Sequence, residues 1–189
     1  SDPACTPTTW TTTAGANPTP QPTGTYYLRV RTQDNAGNQS CPVTLFTFKY
    51  DGTAPTNPTI VTETGGAADN TWQSDVSNPA FSWSGAADIG SGIAGYAWCF
   101  STSPTCSPNT WTDTPAADRP APGEGTYYLR VLTEDNAGNQ SSPTTLFTFN
   151  YDGVAPTNPT AVVETGGAVD NIWQNSVSDP AFTWSGADD

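Results

Sequence analysis

Gly24 to Ser40 reads GTYYLRVRTQDNAGNQS and Gly125 to Ser141 reads GTYYLRVLTEDNAGNQS, 15 of 17 positions being identical at an offset of 101 residues. The same offset carries Asp51–Asp88 onto Asp152–Asp189 with 28 of 38 positions identical. Two separate segments sharing one period mark a tandem array. Ser1 falls opposite Thr102 and Asp189 opposite Asp88, so the register divides the chain into three pieces. Residues 1–51 read as the C-terminal half of a repeat, 52–152 as a complete repeat, and 153–189 as the N-terminal half of the next. Half a two-layer fold exposes its apolar face. The chain is therefore expected to continue at both ends, or to have neighbouring copies complete its halves.

Within the whole unit the pattern is one of short strands. Eighteen Pro and seventeen Gly interrupt helices and favour turns. Thr59–Glu63, a short stretch at Trp72, Ala80–Ser84, Ile93–Phe100, Thr126–Glu134 and Thr145–Tyr151 are the strand candidates, with a loop rich in Ser, Thr and Pro leading to Trp111. Phe81 and Trp83 alternate onto one face, as do Tyr96, Trp98 and Phe100. About seven short strands separated by turn signals predict an all-β sandwich. Seven Trp, seven Tyr and seven Phe supply a core in a chain that is only 34% apolar.

The succession WSGAADIGSGIAGYAW, GTYYLRVLTEDNAGNQS and FNYDGVAPTNPT resembles the tandem immunoglobulin-like, or fibronectin type III-like, repeats of giant bacterial surface proteins. The resemblance implies sandwiches joined end to end in an exported filament, stalk or adhesin. It implies a role for Tyr26 and Tyr127 as the tyrosine that opens strand F and bonds back to the preceding connection. The family shares no catalytic site, so the resemblance carries architecture and no activity.

Charge removes several function classes. Eighteen acidic against five basic residues give a net charge of −13, the wrong sign for nucleic acid or an anionic membrane surface. Histidine is absent, and with it the commonest general base and metal ligand. No apolar run reaches the length of a membrane span.

Cys99 and Cys106 bracket a short loop within one unit, and a disulfide between them is expected, which fits an exported protein. Cys5 aligns with Cys106 and Cys41 with Ser142. Pairing of Cys5 with Cys41 is disfavoured because the two lie at opposite ends of a sandwich. Calcium is the candidate cofactor. The linkers opening at Asp51 and Asp152 bring a carboxylate from the end of one unit to the start of the next, and Asp69 and Asp88 lie near, as do Asp170 and Asp189. Repeated proline alone also stiffens a linker. The DNAGN segments at Asp34–Asn38 and Asp135–Asn139 are oxygen-rich acidic loops of the kind that calcium uses, but the turn reading is favoured over calcium, since Asp, Asn and Gly serve tight turns with positive φ. Asn38 and Asn139 each open an Asn-x-Ser triplet, for which a turn role is the simpler account. Trp83, Trp98, Trp10 and Trp111 are read as packing residues rather than a sugar platform.

The expected function is that of a structural, non-catalytic repeat of an extracellular filament, stalk or adhesin, a spacer or fibre-forming array. Its expected partners are neighbouring repeats and other copies in a fibre, with a surface glycan or partner-cell ligand held elsewhere in the parent protein. The alternative is a polysaccharide- or protein-binding accessory module of an exported enzyme.

Overall fold

The computed structural model describes residues 6–120 and 123–189. Twelve strands appear in chain order: β1 (Gly24–Val30), β2 (Val43–Tyr50), β3 (Ile60–Glu63), β4 (Trp72–Gln73), β5 (Ala80–Ser84), β6 (Ile93–Ser101), β7 (Thr110–Thr112), β8 (Ala116–Asp118), β9 (Gly125–Asp135), β10 (Thr144–Tyr151), β11 (Ala161–Glu164) and β12 (Phe182–Ser185). The protein is all-β. Among the described residues no helix is long and apolar enough to cross a membrane.

Residues 60–151 carry two sheets, ordered β4-β10-β9-β6-β7 and β3-β5-β8. Every pairing in them is antiparallel except β4 with β10. The inner faces follow the two-residue alternation of the sequence. Tyr127, Leu129 and Val131 of β9 and Phe147 and Phe149 of β10 point inward against Phe81 and Trp83 of β5, with Tyr96 and Trp98 beside them. Phe81 and Phe147 lie with ring centroids 5.0 Å apart, and Trp83 meets Tyr96 edge-on at 5.7 Å. Leu129, Val131 and Phe149 are fully buried, each stabilising the unit by about 1.5–3 kcal/mol through area removed from water.

The five strand candidates with stated bounds recur within one residue of them, and the stretch at Trp72 forms β4. β8 was not expected: it fills the edge position next to β5, pairing Ala80 with Asp118 and Ser82 with Ala116. Trp10 and Trp111 correct their reading as core residues, since each is half exposed. Trp111 lies across the backbone of Gly95, where a Cβ would meet its ring at 2.6 Å, and Arg31 sits over the Trp10 ring at 5.2 Å.

The flanking segments form two hairpins, β1-β2 and β11-β12. Each copies its counterpart one period away: Tyr26 faces Phe48 as Tyr127 faces Phe149, and Val162 faces Trp184 as Val61 faces Trp83. The hydroxyls of Tyr26 and Tyr127 donate to the carbonyls of Pro22 (2.7 Å) and Gly123 (2.9 Å), each four residues upstream. Among the described residues no second layer covers either hairpin, and Phe46, Phe48, Phe182 and Trp184 are exposed.

Candidate metal centre at the linker

The linker after β2 is packed rather than free. Pro55 and Pro58 are buried. Asn57 accepts a hydrogen bond from the Ser141 hydroxyl at 2.6 Å and donates from its amide to the Ser142 carbonyl at 2.5 Å, fastening the linker to the connection between β9 and β10.

At the head of this linker three carboxylates converge. Asp51 follows β2, Asp88 lies in the connection from β5 to β6, and Asp135 ends β9; one oxygen from each lies within 4.8 Å of the others. Asp51 Oδ1 accepts from the Thr53 amide (3.0 Å) and the Thr23 hydroxyl (3.2 Å), while Oδ2 accepts from the Ser91 amide (2.7 Å). Asp88 Oδ2 accepts from the amides of Gly90 (3.0 Å) and Gly92 (2.7 Å). Asp135 is 1% exposed; its Oδ1 accepts from the amides of Ala137 (2.9 Å) and Asn139 (2.8 Å), and its Oδ2 from the Asn139 side-chain amide (2.8 Å). That same Asn139 Nδ2 also donates to the Asp51 carbonyl at 3.2 Å. A glycan on Nδ2 would replace one of its two N–H donors and so remove one of these contacts, which favours the turn role for Asn139.

The electrostatics are those of an anionic pocket held together by donors. The Thr53 amide leads the groups that hold Asp51 below the usual carboxylate range, against partial burial, with Ser91 and Thr23 assisting. For Asp135 burial pushes the other way and the neighbouring Asp51 charge adds to it, yet the donors on Asn139 and Ala137 outweigh both and its pKa is lowered. Two carboxylates are thus kept ionised side by side. Asp88 Oδ1 is buried with no hydrogen-bond partner.

These features fit a hard divalent cation. Oxygens bound to one calcium ion at about 2.3–2.6 Å lie no more than roughly 5 Å from each other, so the three carboxylates span the right distance. Asp88 Oδ1, a buried acceptor without a donor, is the atom that a cation would satisfy.

Of the residues expected to hold calcium, Asp51 and Asp88 come together and two do not. Asp69 Oδ1 accepts from the Thr148 amide at 2.7 Å, pinning the approach to β4 onto β10. Asp152 Oδ1 accepts from the Val154 amide at 3.1 Å and belongs to no group of three carboxylates among the described residues. Asp135 was missed. The DNAGN turn is present, with Gly138 at φ 89° and its amide donating to the Asp135 carbonyl, and that local role concealed the second one.

Cys99 and Cys106 are disulfide-bonded, with Cα atoms 6.5 Å apart. Arg130 Nη1 donates to the Cys106 carbonyl at 2.6 Å and ties the closed loop to β9. Cys41 is free and exposed. Cys5, and any partner for it, lies outside the described residues. Trp98 is buried, and the Arg119 guanidinium lies 5.3 Å from its ring, over the hollow beside the disulfide. Neither known family profiles nor curated proteins give a match to this sequence.

Proposed function

We propose that the chain is a non-catalytic structural segment of an extracellular filament, stalk or adhesin, in which immunoglobulin-like units of about 101 residues are set in series by stiff joints. The observation that carries this reading is the position of Asp51. Its carboxylate accepts from Thr23 on the side of the β1-β2 hairpin and from Ser91 on the side of the β5-β6 connection, so one side chain knits the end of one repeat to the next. A joint held by side-chain hydrogen bonds and two buried prolines transmits orientation from unit to unit, which is what a spacer requires.

The immunoglobulin-like assignment draws support from the strand order. A three-stranded layer β3-β5-β8 faces β10-β9-β6-β7, with the short β4 added in parallel at the β10 edge. The export assignment draws support from the Cys99–Cys106 bridge. Calcium at Asp51, Asp88 and Asp135 belongs to the same proposal. Bridging the linker carboxylate to two connections of the following unit would stiffen the joint further. A glycan-binding role is less well supported, because Trp83 and Trp98 are buried, Arg31 sits over the half-exposed Trp10 ring and Trp111 lies across Gly95.

Electron microscopy of the parent material tests the reading. Thin linear filaments with a regular axial repeat are expected, straighter in calcium than in chelator. Compact particles carrying one or two such units beside a catalytic domain would favour the accessory-module alternative.

A further inference from the structure

Tension along the chain enters the 60–151 unit through β3 and β4 and leaves it through β10. Among the described residues β4 and β10 are the only strands paired in parallel, Trp72 lying opposite Asn150 and Gln73 opposite Tyr151. The contact runs beyond this two-residue ladder at both ends. The Asn70 amide donates to the Thr148 carbonyl at 2.8 Å, and the Asp152 amide donates to the Gln73 carbonyl at 3.1 Å. The Thr148 amide in turn donates to Asp69 Oδ1 at 2.7 Å. Asp69 and Asn70 thus hold both backbone polar groups of Thr148. Asn70 does so at φ 55°, a left-handed conformation that a residue with a side chain rarely adopts and that its surroundings must hold in place. Asp170 and Asn171 repeat the pair one period on, Asn171 with φ 56°, so the turn recurs from unit to unit.

We infer that Asp69 is a positioning residue of a mechanical clamp, in which residues 69–73 and 148–152 resist the sliding of β4 past β10. Pulling the chain between the linker and Asp152 draws β4 toward its N-terminal end and β10 toward its C-terminal end. In a parallel pair those directions are opposite, so the hydrogen bonds lie across the load and share it instead of opening one after another. Asp69 adds to the backbone ladder a bond whose acceptor is charged, and such bonds are the stronger kind. β10 is held on its other side by the antiparallel ladder with β9 and by the Thr126 hydroxyl, which donates to Asn150 Oδ1 at 2.8 Å. The clamp rests on the series of units proposed above, adds to it the bonds that carry the load, and needs no cation.

Constant-force stretching of the full chain tests it, with Cys5→Ser and Cys41→Ser present throughout so that handles attach only where they are placed. Under load between the two chain ends, Asp69→Ala should shorten the lifetime of the folded unit roughly tenfold, the effect of one hydrogen bond to a charged group. Asp69→Asn, which keeps a neutral acceptor, should shorten it less. Far-ultraviolet circular dichroism matching the unsubstituted chain shows that each variant retains its sheets, and Asp69→Asn alone carries the test should Asp69→Ala fail to fold. Load can instead be applied between the N-terminal end and Ser142→Cys, a position that the Asn57 contact places at the linker end of the unit. β4 and β10 are then not drawn past each other, and Asp69→Ala should leave the lifetime unchanged. Equal lifetimes with and without the substitution under end-to-end load, or the same loss in both pulling directions, would overturn the clamp while leaving the series of units standing. Extension without any discrete step would overturn both.

Discussion

The Asp51 carboxylate occupies the space where a side chain on residue 90 would stand: a Cβ built on Gly90 would lie 2.3 Å from Asp51 Cγ. The glycine is therefore part of the joint, because only a residue without a side chain lets the linker carboxylate reach the Ser91 amide.

Gly90→Ala should push Asp51 away from that amide and from Asp88 and Asp135. The expected cost is about 1–3 kcal/mol, typical of inserting a methyl where no space exists. Thermal unfolding measures it; an unchanged midpoint would mean that the Asp51 contact contributes nothing to stability.

Calcium should raise the unfolding midpoint of the chain, by an amount equivalent to about 2.7 kcal/mol at a hundredfold excess over the dissociation constant. Asp88→Asn should abolish that gain, since it removes the charge at the buried, unpartnered oxygen. Asp152→Asn should leave it intact. Equal calcium dependence in all three chains would place the ion elsewhere.

Acid sensitivity follows from the same carboxylates. Asp51 and Asp135 have folded-state pKa values below the ordinary 3.8, so the stability they contribute is present above that value and is lost as pH falls through their lowered values. Without calcium, the denaturant midpoint should vary little from these groups between pH 7 and 5 and drop below pH 4. Asp135→Asn should flatten the acid limb. An unaltered limb in that variant would show that Asp135 titrates alike in both states.

Phe48 and Phe149 occupy the same repeat position with 45% and 0% exposure. Phe149→Ala should cost about 3–5 kcal/mol, as for a buried aromatic. In dilute monomer Phe48→Ala should cost well under half as much. Similar losses would mean that Phe48 is covered in solution.

Mutating Cys99 and Cys106 together to Ser should lower stability by roughly 2–3 kcal/mol, the loop-closure contribution of so short a bridge. Chemical denaturation gives the number, and no change would mean that native strain cancels the entropic gain.

Most of the fold was legible because its signals are local. The alternation in Tyr127, Leu129 and Val131 and the glycine of DNAGN each act over a few residues. β8 was not legible, since Ala116–Asp118 sits between Pro115 and Pro120 with no alternation and becomes a strand only because β5 offers an edge. The site was half legible. Asp51 and Asp88 stand out beside the linker, but Asp135 comes from a turn that explains itself through its own hydrogen bonds, and only the folded sandwich brings that turn to the linker. Asp69 and Asp152 were drawn in by nearness along the chain, which a twisted pair of sheets does not preserve.

The proposed series of independently folded units is tested most directly by single-molecule stretching of the parent array. It predicts a sawtooth with one force peak per repeat and a contour-length gain of about 300 Å per peak, the extended length of one 101-residue period less its folded span. A smooth extension without discrete peaks, or a single step releasing several repeats at once, would contradict it.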